Sequence, residues 1–294
     1  MTATARRMLA EQGVETTVRH GENPEDVELV SADARRFALF TVLAKTLGAP
    51  IDEAETIIAD HIGWLVSSAD MPDLAGFSPE ELRSRIRTRL LSSRDNQPDD
   101  FPFRYARPFS EGIVIALCID LPGCVVALTD SAIGTLALGE DELYAFGQLN
   151  TDREPVDQRY EATPGIEVIV GDSLFTASKA ANLPAVIGSA PFGTFFTVPS
   201  RHTLITLPLT GPQTLDAVSD LVTVTMRIIG DGLVPGGVMS LNVHFSRGGV
   251  VTTVSSIDES GTMTLRIDER LRQALEESAA IGEELGTADG PVDS

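Results

Sequence analysis

Between Arg94 and Pro108 the chain changes period, and that change constrains its fold more than any other feature. Before it, apolar residues recur at spacings of three and four. After it come short β-branched and apolar runs bounded by Gly, Pro and Asp. Pro98, Pro102 and Pro108 punctuate the segment itself, which reads as a loop or domain boundary. Helices first, then strands interleaved with a few helices, is an α+β pattern. The expectation is a helical N-terminal region followed by a mixed, mainly antiparallel sheet with packed helices. The chain divides into an acidic N-terminal segment (1–30), a helical region (31–97), a proline-rich linker (98–110), an α+β sheet domain (111–285) and an acidic tail (286–294).

In the helical region, Phe37, Phe40, Leu43, Ala44 and Leu47 make one apolar stripe that Gly48 and Pro50 end. Ile57, Ile58, Ile62 and Leu65 make a second, over a helix from Asp52 to about Ser68 whose first turn carries Asp52, Glu53 and Glu55. Ser78-Pro79-Glu80-Glu81 is a capping box with proline at the first helical position, and Leu82, Ile86 and Leu90 continue it as a stripe. Arg83 and Arg87 flank that stripe on one side, Arg85 and Arg89 on the other. Their stems cover the seam while the heads stay in water.

Beyond the prolines, strands are predicted at 113–119, 124–129, 166–170, 194–198, 203–207, 239–245 and 250–254, with a short one near 263–267. Helices are predicted at 140–150, 173–181, 213–229 and 269–285. Ser246-Arg247-Gly248-Gly249 reads as a hairpin loop.

Charge narrows the function classes. The chain of 294 residues carries 43 acids against 22 bases, a formal charge of −21. Such a field repels polyphosphates and anionic lipid, which argues against a general nucleic-acid binder and a membrane-surface protein. The charge is uneven: residues 11–33 hold seven acids and one arginine, whereas Arg83 to Arg107 holds seven of the basic residues. That basic run is a candidate partner-binding surface, with Arg83, Arg85, Arg87 and Arg89 at its centre. Only Lys45 and Lys179 are lysines, an arginine skew typical of GC-rich bacterial genomes. No apolar run follows the N-terminal arginines as a leader would require, and none reaches a membrane span, so a cytoplasmic location is expected. Cys118 and Cys124 read as buried reduced thiols, with a cross-hairpin bridge as the alternative.

Catalytic spacing is mostly absent. Gly171-Asp172-Ser173-Leu174-Phe175 starts like a nucleophile elbow, but Phe175 stands where the second glycine belongs, so Asp172 or Ser173 reads as a helix cap. The glycine-rich stretch 230–237 leaves a helix and enters a strand, the reverse of a dinucleotide loop. His20, His61, His202 and His244 are far apart, and Glu140-Asp141-Glu142 suits a helix's first turn better than a cation. No metal set and no cofactor motif is read. Ser200, Arg201, His202 and His244 remain as a ligand-binding candidate: Arg201 for a carboxylate or phosphate, His202 for proton transfer.

Three segments follow one another in order: Leu138-Gly139-Glu140-Asp141-Glu142-Leu143 leading to Asn150, then Gly171 to Ser178, then Val198-Pro199-Ser200-Arg201-His202-Thr203-Leu204. Over about residues 110 to 255 this series resembles the bacterial YtpQ-like proteins. The resemblance implies a small soluble α+β protein and supplies no catalytic residue, since that family has no established activity. It also tends to an acid where this chain has His202.

The leading expectation is a non-catalytic protein-binding module of inhibitor or immunity type, acting on a protein partner. The alternative is a small-ligand-binding protein or enzyme with a fold-assembled site around Arg201 and His202.

Overall fold

A computed structural model describes residues 2–11, 13–20, 27–31, 36–39, 42, 46, 49–67, 74–93, 103–121, 124–230, 237–257 and 262–287. The polar N-terminal segment is not structureless. Helix α1 (Thr2–Glu11) is followed by an antiparallel sheet of β1 (Thr16–His20), β2 (Val27–Ser31) and β3 (Arg36–Ala38), and then by α2 (Ile51–Ser67). Ala5, Leu9, Leu29, Phe37, Val42, Ile58 and Ile62 form one core, so residues 2–31 belong with the segment that follows them. Phe37, expected on a helix, lies on a strand. The rest of that expected helix falls almost wholly outside the described residues, as do Pro98 and Pro102 of the linker.

The capping box forms as expected. The Glu81 amide donates to Ser78 Oγ (3.2 Å) and the Ser78 amide to Glu81 Oε2 (3.0 Å), opening α3 (Pro79–Arg85). The helix then stops at Ile86, and β4 (Ile86–Ser92) begins. A spacing of four (Leu82, Ile86, Leu90) lies close to one helical turn and is also two strand repeats, so the apolar stripe alone cannot separate the two periods. The intervening arginines can: Ile86, Thr88 and Leu90 face inward, and Arg87 and Arg89 take the other face.

β4 pairs in antiparallel register with β6 (Ile113–Leu121) across the expected linker, so that segment does not separate two cores. On the far edge of β6 lie β5 (Arg107–Ser110) and β7 (Cys124–Ala127). In the β6–β7 hairpin Cys118 stands opposite Ala127 and Cys124 opposite Leu121, a register that does not join the two cysteines. Cys118 is a buried free thiol. After the short α4 (Asp130–Ile133), helix α5 (Glu140–Arg153) packs on β4 and β6, burying Leu82, Ile86, Leu117, Ile119 and Leu143. Gly147 permits this approach: a Cβ there would lie 3.2 Å from the backbone of Arg87 and Thr88.

Among the described residues the outer edge of β4 has no strand partner, and hydroxyls fill its ladder positions. Thr151 Oγ1 accepts from the Thr88 amide and donates to the Thr88 carbonyl, each at 3.1 Å, and Ser178 Oγ accepts from the Leu90 amide at 2.9 Å.

A six-stranded antiparallel sheet makes the centre. Its order is β13 (Val250–Thr253), β12 (His244–Arg247), β10 (Thr194–Ser200), β11 (Thr203–Pro208), β9 (Ile166–Val170) and β8 (Gln158–Thr163). One face, with Val168, Phe195, Ile205 and Phe245, packs on α7 (Thr214–Gly230) and α8 (Glu269–Thr287). The other, with Ile169, Phe196, Val198 and Leu204, packs on Leu90, Phe109, Ile113 and a 3-10 helix (Ala177–Asn182) leading into α6 (Leu183–Ile187). Covered on both faces, β10 is buried along its whole length. Gly248 and Gly249 take φ of 60° and 77°, the left-handed pair that a two-residue hairpin between β12 and β13 requires. A small ladder of β14 (Ser255–Ile257) and β15 (Met263–Leu265) precedes α8. The α+β class stands. Among the described residues no helix is long and apolar enough to cross a membrane.

Candidate functional site

The strand character of residues 86–92 changes what its arginines do. Arg83, on α3, donates to Glu142 at 2.8 and 2.6 Å and lies over the Phe146 ring. Arg87 sits between Glu154 (2.8 Å) and Asp120 (3.4 Å) with a largely buried side chain. Arg85, half-buried, acts on the carboxylates of Glu81 and Asp120. Two of the four arginines proposed to meet a partner, Arg83 and Arg87, are therefore paired with carboxylates of the chain itself. The acids of the Glu140-Asp141-Glu142 run serve the same end: Glu142 holds Arg83 and Asp141 holds Arg107.

Arg89 is different. The alternation of β4 puts it on the sheet face away from α5, opposite Ala116 and beside Cys118 of β6, both fully buried. Its guanidinium hydrogen-bonds the Cys118 thiol, whose pKa burial nevertheless pushes up to about 11. Its Nε is buried with no acceptor.

Arg201, in the turn between β10 and β11, feels the charge of Arg89. The turn is held at several points. The Arg201 carbonyl accepts from the Ala177 amide (3.1 Å), the His202 carbonyl from the Gly171 amide (3.0 Å), and Ser200 Oγ from the His202 amide (3.2 Å). The 3-10 helix links the two arginines: Ala177 binds the Arg201 carbonyl, and its neighbour Ser178 binds the amide of Leu90, next to Arg89. Burial, and after it the like charge of Arg89, push the half-buried Arg201 guanidinium down to about 10. Among the described residues no carboxylate opposes either effect. Two positive charges therefore act on one another in a partly desolvated place.

The other candidate residues take structural parts. Ser200 is buried, its hydroxyl engaged with Thr203 Oγ1 (3.3 Å) and the His202 amide. His202 Nδ1 lies 3.0 Å from the Gly171 carbonyl, which completes a reciprocal clamp between the turn and the end of β9. His244 is fully buried opposite Phe196, with Nδ1 3.1 Å from Thr253 Oγ1 and Nε2 3.5 Å from Ser240 Oγ. Burial pushes its pKa down to about 4. Along β10, Phe196 precedes Ser200 by four residues, about 13 Å of extended chain, so His244 stands apart from the turn that carries His202. A shallow cleft between α6 and the β12–β13 hairpin, lined by Asn182, Leu183, Gly188, Arg247 and Gly248 among others, includes none of the four.

Ser173 makes a turn: its Oγ donates to Glu154 Oε2 (3.0 Å) and accepts from the Phe175 amide (3.3 Å). Gly171 is required for packing, since a Cβ there would meet Thr176 Oγ1 at 2.5 Å. Residues 231–236 of the glycine-rich stretch lie outside the described residues. Among the described residues, no group of three or more His, Cys, Asp and Glu side chains is placed to hold a metal ion. One buried cation gave no signal in the sequence: Lys179 Nζ donates to the Thr151 and Asp152 carbonyls (3.1 and 2.8 Å) at the end of α5.

Comparison with family models, with curated proteins and with solved structures finds no match to the chain.

Proposed function

We propose that this is a ligand-binding protein that receives an anionic group of its ligand between Arg89 and Arg201. The observation carrying this reading is that, among the described residues, neither of these half-buried arginines pairs with an acid, whereas Arg87 and Arg247 do. Arg87 and Arg247, whose side chains are 15% and 21% exposed, each contact carboxylates. A buried N–H without an acceptor costs about 1–3 kcal/mol, and two adjacent cations add to that, so an arriving anion recovers both. The site joins one residue from each of the two candidate sets, and it supports the small-ligand reading of the sequence over the arginine-run docking surface. The likeness of residues 110–255 to YtpQ-like proteins adds no residue role to it.

Thermal unfolding in the presence of small anions, at constant ionic strength, tests the reading. An anion at one hundred times its Kd stabilises by about 2.7 kcal/mol. Arg201→Ala and Arg89→Ala should each abolish that stabilisation. If no anion raises the melting temperature above an ionic-strength control, the site has no ligand of this kind.

A second reading rests on the net charge of −21: a protein module whose field captures a basic partner. Salt-dependent association with a stoichiometric partner would support it, and salt-independent association would remove its basis.

A further inference from the structure

Among the described residues, one edge of the central sheet is left open. At its other end β13 lies beside β5, and the Glu111 amide donates to Thr253 Oγ1 (3.1 Å). The free edge of β4 is filled by the hydroxyls of Thr151 and Ser178. No described strand pairs with the outer edge of β8, where Gln158, Arg159, Tyr160 and Glu161 are all exposed. A bare strand edge is a template for another strand.

The side chains of β8 select which strand. Along a strand the backbone N–H and C=O groups point alternately to one side and the other, and in an antiparallel pair residues directly opposite point the same way. Two copies of one regular strand therefore meet with a residue on their two-fold axis, never with the axis between residues. β8 keeps a regular register with β9 from Gln158 to Glu161. With Arg159 on the axis two arginines face each other, and with Glu161 two glutamates, both unfavourable. An axis at either end of the strand leaves most of it unpaired. With Tyr160 on the axis, Arg159 of each copy lies opposite Glu161 of the other. The two Tyr160 side chains, each 46% exposed, then meet on the side of the sheet that carries Val168 and the packed helices.

We propose that β8 pairs antiparallel with β8 of a second copy of this chain, about a two-fold axis at Tyr160, so that the central sheets of the two copies run on as one. The single chain leaves a charge for this contact. Glu161 stands opposite Glu167 of β9, a like-charge pair. Arg159 serves Glu167, through Nε and through Nη2 (2.7 Å), and its Nη1 donates to the Val186 carbonyl (2.8 Å). These bonds take three of its five N–H donors. Among the described residues Glu161 receives the Gly165 amide (2.7 Å) and no cation. In the paired sheet Arg159 of the other copy supplies that cation. The start of each strand meets the end of the other, which brings exposed Val156 to the exposed Pro164 turn. An edge of one charge sign repels every copy of itself, whereas opposite signs on either side of an aromatic fit a second copy and exclude unlike strands. Neither Arg89 nor Arg201 takes part in this edge.

Sedimentation equilibrium of the full chain over about 5 to 500 μM tests the pairing, a range suited to an interface this short. The native chain should form dimers and no larger species, because pairing consumes the edge it uses. Glu161→Arg and Arg159→Glu each turn two attractive cross-strand pairs into repulsive ones, so each variant alone should self-associate at least about tenfold more weakly. Mixed one to one they should recover dimers, since every glutamate at these positions then faces an arginine. A variant that has merely lost its fold recovers nothing on mixing, and the melting temperature of each variant shows whether it is folded. In a Cys124→Ser background, Tyr160→Cys should give a disulfide-linked dimer on mild oxidation, because Cβ atoms directly opposite lie about 4.5–5.5 Å apart. Gln158→Cys should not, its copy being displaced by four residues, about 13 Å of extended chain. A chain that stays monomeric throughout overturns the proposal. So does a dimer that both charge variants leave intact, a mixture that fails to pair, or crosslinking at Gln158 in place of Tyr160.

Discussion

His244 makes the stability of this fold pH-dependent in a way that can be worked from the structure. Its imidazole is fully buried between Thr253 and Ser240 against the Phe196 ring, 5.3 Å between centroids, and burial holds its pKa near 4 against an ordinary value of 6.5. Below pH 6.5 the unfolded chain takes up a proton that the folded chain refuses, so stability falls as pH falls. The loss continues down to the folded pKa near 4. From these two values it amounts to about 1.4 kcal/mol at pH 5.5 and about 2.5 kcal/mol at pH 4.5. Carboxylates titrate in the same range, so the relevant quantity is a double difference. Urea unfolding of the native chain and of His244→Gln should be compared at pH 7.5, 5.5 and 4.5. Glutamine keeps hydrogen-bonding capacity and cannot titrate, so the two stability curves should converge or cross by about 2.5 kcal/mol as pH falls. Parallel curves would refute the reasoning, as would an imidazole NMR titration with a midpoint at or above 6.

Other perturbations follow from packing and hydrogen bonding. Gly147→Ala improves helix propensity by about 1 kcal/mol but drives a methyl to 3.2 Å from strand backbone that cannot yield cheaply. A net loss of about 1–2 kcal/mol in chemical denaturation is expected. Ser178→Ala leaves the buried Leu90 amide without its acceptor and should cost about 1–3 kcal/mol by the same assay. In a Cys124→Ser background, Cys118, held near pKa 11 and fully buried, should react with a thiol reagent at pH 8 only on unfolding. Arg87→Ala strips Glu154 of its 2.8 Å ion pair, and a loss of about 3 kcal/mol is expected, the carboxylate being largely buried.

Legibility in the sequence varied with how local the determining physics is. The capping box at Ser78–Glu81, the strand Ile166–Val170 and the helix from Glu140 depend on neighbours within a few residues, and each lies where the residues indicate; the hairpin expected over 246–249 also forms, with its loop reduced to Gly248 and Gly249 because Ser246 and Arg247 pair as strand. β4 lies where the spacing predicts helix, because its apolar residues recur at four, a spacing that serves helix and strand alike. The alternation of arginine with Ile86, Thr88 and Leu90 was the signal that could have resolved it. The strand expected over 239–245 is shorter, beginning at His244. Its early part still follows β10 through hydrogen bonds from Met239 and Ser240 to Pro199 and Val198. The electrostatic coupling of Arg89 to Arg201 had no local signature at all. Both residues stood among the candidates, in separate sets, and only the 3-10 helix between them brings the sets together.

The hydroxyls on the edge of β4 have a consequence for how the chain is made. Thr151 and Ser178 follow the amides they satisfy by 63 and 88 residues. On a ribosome adding about 5–20 residues per second, β4 waits on the order of ten seconds for the second of those groups to emerge. During that interval the nascent strand has a bare edge, open to any neighbouring polypeptide. Chains released before residue 178 should therefore depend on chaperones and collect in the insoluble fraction, while chains long enough to place Ser178 against β4 seal the edge and escape. The same two oxygens that complete a ladder in the finished molecule would set when the growing one becomes safe to release.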